Sequence, residues 1–228
     1  MDFHFPSFPK PISIDLIDEQ GEAYPRRRRK GKEWIAVPKG SQYAIRLRNP
    51  NTPTTLNRPT PRIYLIVCVD GVNIGTMQWL EWDKISPSRG RAGGFVWFAE
   101  PTVDIQEDEI IGWMLSAKEV QKFRCVGPEQ SVLAERFPQI FEGAAADRCG
   151  TIEIGFFIES TVHMQPQFQQ TRGFSARSAG TGMGDGVANP YEINKGPFRF
   201  KSDEPDLIAS ITYRPGRISS KKLTSSSS

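Results

Sequence analysis

Hydrophobic and polar positions alternate with a period of two along most of this chain. Tyr43, Ile45 and Leu47 fall on one side and Ala44, Arg46 and Arg48 on the other, as in a strand with one face on a core and one in water. Ile12–Ile17 (ISIDLI) alternates in the same way. Arg62–Asp70 is a β-branched and aromatic run, too short for an ordinary helix and closed by Asp70-Gly71, so it reads as a buried strand entering a tight turn. Further strands are predicted at Trp34–Val37, Phe95–Ala99, Ile110–Leu115, Glu119–Val126, Thr151–Ser160, Pro197–Lys201 and Leu207–Tyr213, with Ile110–Leu115 and Glu119–Val126 as an antiparallel pair. The strand at Arg62–Val69 is expected to give a core face of Leu65, Val67 and Val69, packed by Ile154 and Phe156. One short helix is expected in Ser131–Phe141, interrupted by Pro138.

Short strands with frequent turns predict an all-β fold: an antiparallel two-sheet sandwich of jelly-roll type over residues 12–214. Residues 1–11 form an extended arm in which Phe3, Phe5 and Phe8 alternate with prolines. The arm either folds back on its own domain or makes its contacts on a neighbouring subunit. Residues 165–189, with Gly180–Gly186 at their centre, read as a flexible glycine-rich loop, and residues 215–228 as a disordered basic and serine-rich tail. Both the arm and this loop are expected to be mobile in the free chain and ordered in an assembly. Arg26–Lys32 is expected to be a solvated loop, and Asp104–Glu109 an acidic turn.

Composition adds little chemistry. Eighteen prolines and twenty glycines in 228 residues suit short strands and argue against long helices. The formal net charge of +3 implies no whole-molecule field for nucleic acid. The N-terminus has no apolar stretch of signal-peptide length and no segment is apolar enough to span a membrane, so a soluble intracellular protein without membrane insertion is expected, or a virion protein if its role is structural. Cys68, Cys125 and Cys149 have no C-x-x-C spacing and read as buried free thiols.

His4 and His163 have no neighbours at ligand spacing, so no metal is expected. No nucleophile elbow accompanies His163. Gly180–Gly186 lacks the strand before, the helix after and the Lys-Ser/Thr pair of a phosphate loop, so no cofactor is expected. Catalytic residues are therefore not assigned, although paired carboxylates on separate strands leave no local spacing to read.

The sharpest electrostatic feature is Arg26, Arg27, Arg28, Arg29, Lys30 and Lys32, six cations in seven positions. They stay in solvent or meet an anionic partner, either an acidic protein or nucleic-acid phosphate. Trp79, Trp82 and Trp97 are candidate aromatics for a carbohydrate or a surface partner.

In order and spacing, Arg46–Asn49, Val69–Asn73 (Val-Asp-Gly-Val-Asn), Gly112-Trp113, Gly150–Glu159, Gly180–Gly184 (Gly-Thr-Gly-Met-Gly) and Ile211–Tyr213 (Ile-Thr-Tyr) resemble the pattern of an uncharacterised β-sandwich family of bacterial proteins with relatives in large DNA viruses. The resemblance covers roughly residues 33–214. It departs at the N-terminal arm, the Trp79–Trp82 insert and the basic tail, and at Met114, where the family has arginine. What it implies is a compact structural or adhesive sandwich with no chemistry of its own. The expectation is a non-enzymatic assembly protein, such as a minor capsid protein, whose partners are other subunits; the alternative is a soluble binding module acting through its tryptophans.

Overall fold

The computed structural model describes residues 1–5, 8–51, 63–74, 95–97, 106–115, 118–136, 149–158, 179–188 and 204–216. Fourteen strands among them form two sheets. The first contains β1 (Asp2–Phe3), β2 (Ile12–Ile17), β5 (Gln42–Asn49), β9 (Gln106–Ile110), β10 (Gly112–Met114), β11 (Glu119–Val126) and β13 (Gly180–Ala188). The second contains β3 (Arg26–Arg29), β4 (Lys32–Pro38), β6 (Ile63–Val69), β7 (Val72–Asn73), β8 (Phe95–Trp97), β12 (Thr151–Ile158) and β14 (Leu207–Gly216). A 3-10 turn at Pro128–Gln130 leads into a short helix, α1 (Val132–Arg136), the one α-helix among the described residues. Ser131 starts that helix, its Oγ accepting from the Ala134 backbone N–H at 3.2 Å.

Among the described residues the expectation of an all-β sandwich with one short helix therefore stands. The pairing is antiparallel with one exception, since β14 runs parallel to β4 with Tyr213 opposite Ile35. In the second sheet Val67 pairs with Ile154, Leu65 with Phe156 and Val69 with Ile152, all buried. In the first, β5 and β11 touch only at Tyr43–Phe123 and Gln42–Arg124, then part. Residues 106–114 fill the fork, β9 pairing with residues 45–49 of β5 and β10 with residues 120–122 of β11. Gly112 sits where the strands crowd most: a Cβ there would lie 2.0 Å from the Gln121 carbonyl oxygen, which only glycine avoids.

Of the two courses expected for the arm, it takes the first and packs on its own domain: Phe5 and Phe8 are buried, and Phe5 meets Phe156 edge-on with ring centroids 5.4 Å apart. Phe3 is half-buried against the same core, and β1 pairs with β2. Asn51 pins the arm from outside, its side-chain amide accepting from the Lys10 N–H at 3.0 Å and donating to the Lys10 carbonyl at 2.8 Å. Other expectations are corrected. Arg26–Lys32 is a β-hairpin rather than a loop. Its two turn residues, Lys30 and Gly31, have φ of 51° and 75°, the left-handed pair a two-residue hairpin requires.

Within the acidic segment, residues 106–110 are a strand. Glu109 stands opposite Arg46, so the register places unlike charges across from each other. Of the glycine-rich stretch, residues 180–188 are likewise a strand, paired along β11. Its glycines serve close approach rather than mobility: a Cβ on Gly180 would lie 2.7 Å from the Ser131 Cβ, and one on Gly184 2.8 Å from the Lys122 carbonyl oxygen. Residues 165–178, 189, 197–201 and 217–228 lie outside the described residues, as do Trp79, Trp82 and His163.

Candidate functional site

The motifs singled out in the sequence converge on one place, where the two sheets meet behind the Asp70-Gly71 turn. That turn joins β6 to β7 with φ of 52° and 83°, and it directs Asp70 inward rather than toward water. Asp70 is 1% exposed, which for a carboxylate requires partners on every side. One carboxylate oxygen accepts from the Gly150 N–H at 2.7 Å, the other from the Thr181 N–H at 2.5 Å. The Tyr213 hydroxyl reaches both oxygens, at 2.8 and 3.0 Å. The Asp70 backbone N–H in turn donates to the Thr151 carbonyl at 2.8 Å.

The network continues across the sandwich. Thr181 Oγ1 lies 2.6 Å from Tyr213 Oη and 2.5 Å from Tyr43 Oη. Each hydroxyl carries one proton, and that fixes the direction of the chain. Tyr213 gives its proton to Asp70, so Thr181 donates to Tyr213, and Tyr43 donates to Thr181. Tyr43 and Thr181 belong to the first sheet, Asp70 and Tyr213 to the second, so the chain ties one sheet to the other. Tyr43 also stacks on Phe123 at 5.3 Å and tilts against Tyr213 at 5.8 Å. Trp113 meets Phe123 edge-on with ring centroids 5.4 Å apart, its indole N–H donating to the Gly182 carbonyl at 3.3 Å.

Burial pushes the Asp70 carboxyl up to about 6, and its hydrogen bonds from Thr181, Tyr213 and the Gly150–Thr151 backbone hold it from rising further. Burial, with the Asp70 charge second, raises both Tyr43 and Tyr213 well above the ordinary phenol, so they remain protonated donors. The same burial pushes the Cys125 and Cys149 thiols up to about 12, so they are not thiolates; Cys68 is buried as well. Everything in this cluster is sealed from solvent: Thr181 and Tyr213 are 0% exposed and Tyr43 3%. What the arrangement does chemically is hold a charge and three hydroxyls in fixed positions at the seam of the sandwich.

The predicted cationic site lies elsewhere. Arg26, Arg27, Arg28 and Arg29 form β3, the terminal strand of the second sheet, and all four are exposed, as are Lys30 and Lys32. Arg26 differs from its neighbours, because its guanidinium bonds Asp15 of β2 at 2.6 Å. At Asp15, burial opposes ionisation, but Arg26 and the Met1 ammonium at 3.4 Å outweigh it and hold the carboxyl below its ordinary value. Of the predicted tryptophans, Trp97 has its backbone in β8, paired with Ile63. The structure thus brings the arginines together on an edge and places Phe5 and Phe8 in the core.

Sequence reasoning missed the Asp70 cluster although it quoted every motif that builds it. The signal was Val-Asp-Gly, Gly-Thr-Gly and Ile-Thr-Tyr, but Asp70 and Tyr213 are separated by 143 positions, and no local spacing announces such a contact. Among the described residues no group of three or more His, Cys, Asp or Glu side chains could hold a metal ion, and no helix is long and apolar enough to cross a membrane. In comparisons with known proteins, no family model, no curated protein and no solved structure matches the chain.

Proposed function

We propose that this chain is a non-enzymatic assembly protein, a jelly-roll-type sandwich that builds into a larger shell, with the virion of a large DNA virus as the setting its motif pattern suggests. The observation that carries the reading is the use made of the motif residues. Asp70, Gly150, Thr181 and Tyr213 are buried and joined through the Asp70 carboxylate, and Trp113, also buried, bonds the Gly182 carbonyl, so they serve the rigidity of the sandwich rather than a solvent-facing site. A buried polar network with its members satisfied fixes one arrangement of two sheets, as a repeating subunit needs. Because the arm is tied to its own core, the contacts between subunits fall to exposed strand edges.

Light scattering over a wide range of protein concentration tests this. Particles at multiples of the 25.6 kDa chain mass, growing with concentration, are expected. A chain that remains monomeric at every concentration and salt strength overturns the reading.

A further inference from the structure

We propose that the outer face of the β3–β4 hairpin, together with Arg214 of β14, binds single-stranded nucleic acid. The cross-strand register decides which cations share that face. Arg27 stands opposite Trp34 and Arg29 opposite Lys32, so these four project to one side. Arg26 stands opposite Ile35, which is buried, so Arg26, Arg28 and Glu33 belong to the core-side rim. Tyr213 is aligned with Ile35 and points into the core, which turns Arg214 outward. Its guanidinium lies 4.9 Å from the centre of the Trp34 ring.

The result is a half-buried tryptophan with Arg214 over its ring and Arg27, Arg29 and Lys32 on the same face. Four cations on one face exceed the excess of +3 carried by the whole chain, so this face is a local positive field rather than a sample of average surface. The one β3 arginine bonded to a carboxylate, Arg26, lies on the opposite side. Arg27 and Arg29 are about 6.8 Å apart along the strand, close to the repeat of phosphates on an extended nucleic-acid strand. Trp34 with the Arg214 guanidinium over it offers planar surfaces on which a base stacks, and such stacking does not depend on sequence. An acidic peptide uses the guanidinium groups but leaves Trp34 without a part, which is why a nucleic acid is the better fit.

Fluorescence anisotropy of a labelled oligothymidylate, with polyglutamate as competitor, tests the assignment on the full chain. Binding is expected to weaken steeply between about 50 and 200 mM salt. Replacing Arg27, Arg29 and Lys32 together by Gln should lower the magnitude of the log–log salt slope by about two, at roughly 0.7 per phosphate contact. Trp34→Leu should weaken binding about tenfold, and Arg28→Gln, on the other side of the same strand, should change it little. If Trp34→Leu proves unfolded by circular dichroism, the contrast between Arg27→Gln and Arg28→Gln decides alone. Failure of the oligonucleotide to bind at low salt, or equal losses from Arg27→Gln and Arg28→Gln, overturns the proposal. So does polyglutamate binding as tightly as the oligonucleotide with no contribution from a folded Trp34→Leu, which makes the face an acidic-protein surface. Self-association read by light scattering is a separate quantity, so either idea can fail without the other.

Discussion

The Asp70-Gly71 and Lys30-Gly31 hairpins turn in the same way, yet they treat charge in opposite ways. Both place a non-glycine residue at φ near 50° and a glycine at φ near 80°, the geometry that matches strand twist in a two-residue connection. One turn lies inside the sandwich and brings a single carboxylate to donors from three strands or their flanks. The other lies at a sheet edge and holds a row of guanidinium groups in water. A turn thus decides how a chain reverses, while the flanking strands decide whether the charge becomes structure or surface. On an edge, charge also discourages unwanted strand pairing, which fits an arginine run on a terminal strand.

The largest effect should come from breaking the strand that carries the buried turn. Val67→Asp places an unpaired carboxylate opposite Ile154 at a position with no exposure, at a cost of several kcal/mol. Loss of the cooperative unfolding transition, followed by circular dichroism, is expected; a melting temperature equal to the parent's would mean that Val67 is not core.

Next comes Asp70→Asn, which keeps a residue tolerant of left-handed backbone but puts an NH2 group where two N–H donors and a phenol converge. A loss of about 2–4 kcal/mol in urea unfolding is expected. The same pair of proteins tests the protonation of the site. The folded carboxyl sits at about 6, above the ordinary 3.8, so the folded state holds the proton more tightly. The associated stability is complete below about 3.8 and is lost as pH rises through about 6. The stability of the parent relative to Asp70→Asn should therefore fall between pH 4 and pH 6 and then level off. A difference that is flat or rising across that window contradicts the buried, upshifted carboxyl.

At the other turn the effects should be small. Arg29→Gln removes an exposed charge on a terminal strand and should change stability by less than about 0.5 kcal/mol, measured by the same urea titration. A loss as large as that of Asp70→Asn would erase the distinction between the two hairpins.

How far the chain could be read in advance follows from which residues carry a strand's signal. Tyr43–Leu47 and Leu65–Val69 show their strands directly, because a strand with one dry face alternates and a doubly buried one is continuously apolar. Gly180–Ala188 hides its strand, since glycines have no side chain with which to alternate, and they are there so that β13 can lie against Ser131 and Lys122. Arg26–Arg29 hides its strand because every member is exposed, and Gln106–Ile110 because its acidic residues look like a turn until Arg46 is set opposite Glu109. The candidate site was legible as separate words without a sentence. Val-Asp-Gly and Ile-Thr-Tyr marked positions of note, but their meeting depends on strand order, which the motifs do not encode.

The one-way chain of hydroxyls from Tyr43 through Thr181 to Tyr213 has a spectroscopic consequence. Hydroxyl protons normally trade with water too fast to give separate nuclear magnetic resonance signals. Three of them shut between two sheets, each committed to a single acceptor, exchange only when the seam opens. Their resonances therefore form a built-in clock for the breathing of the sandwich, ticking at the rate at which one sheet lets go of the other.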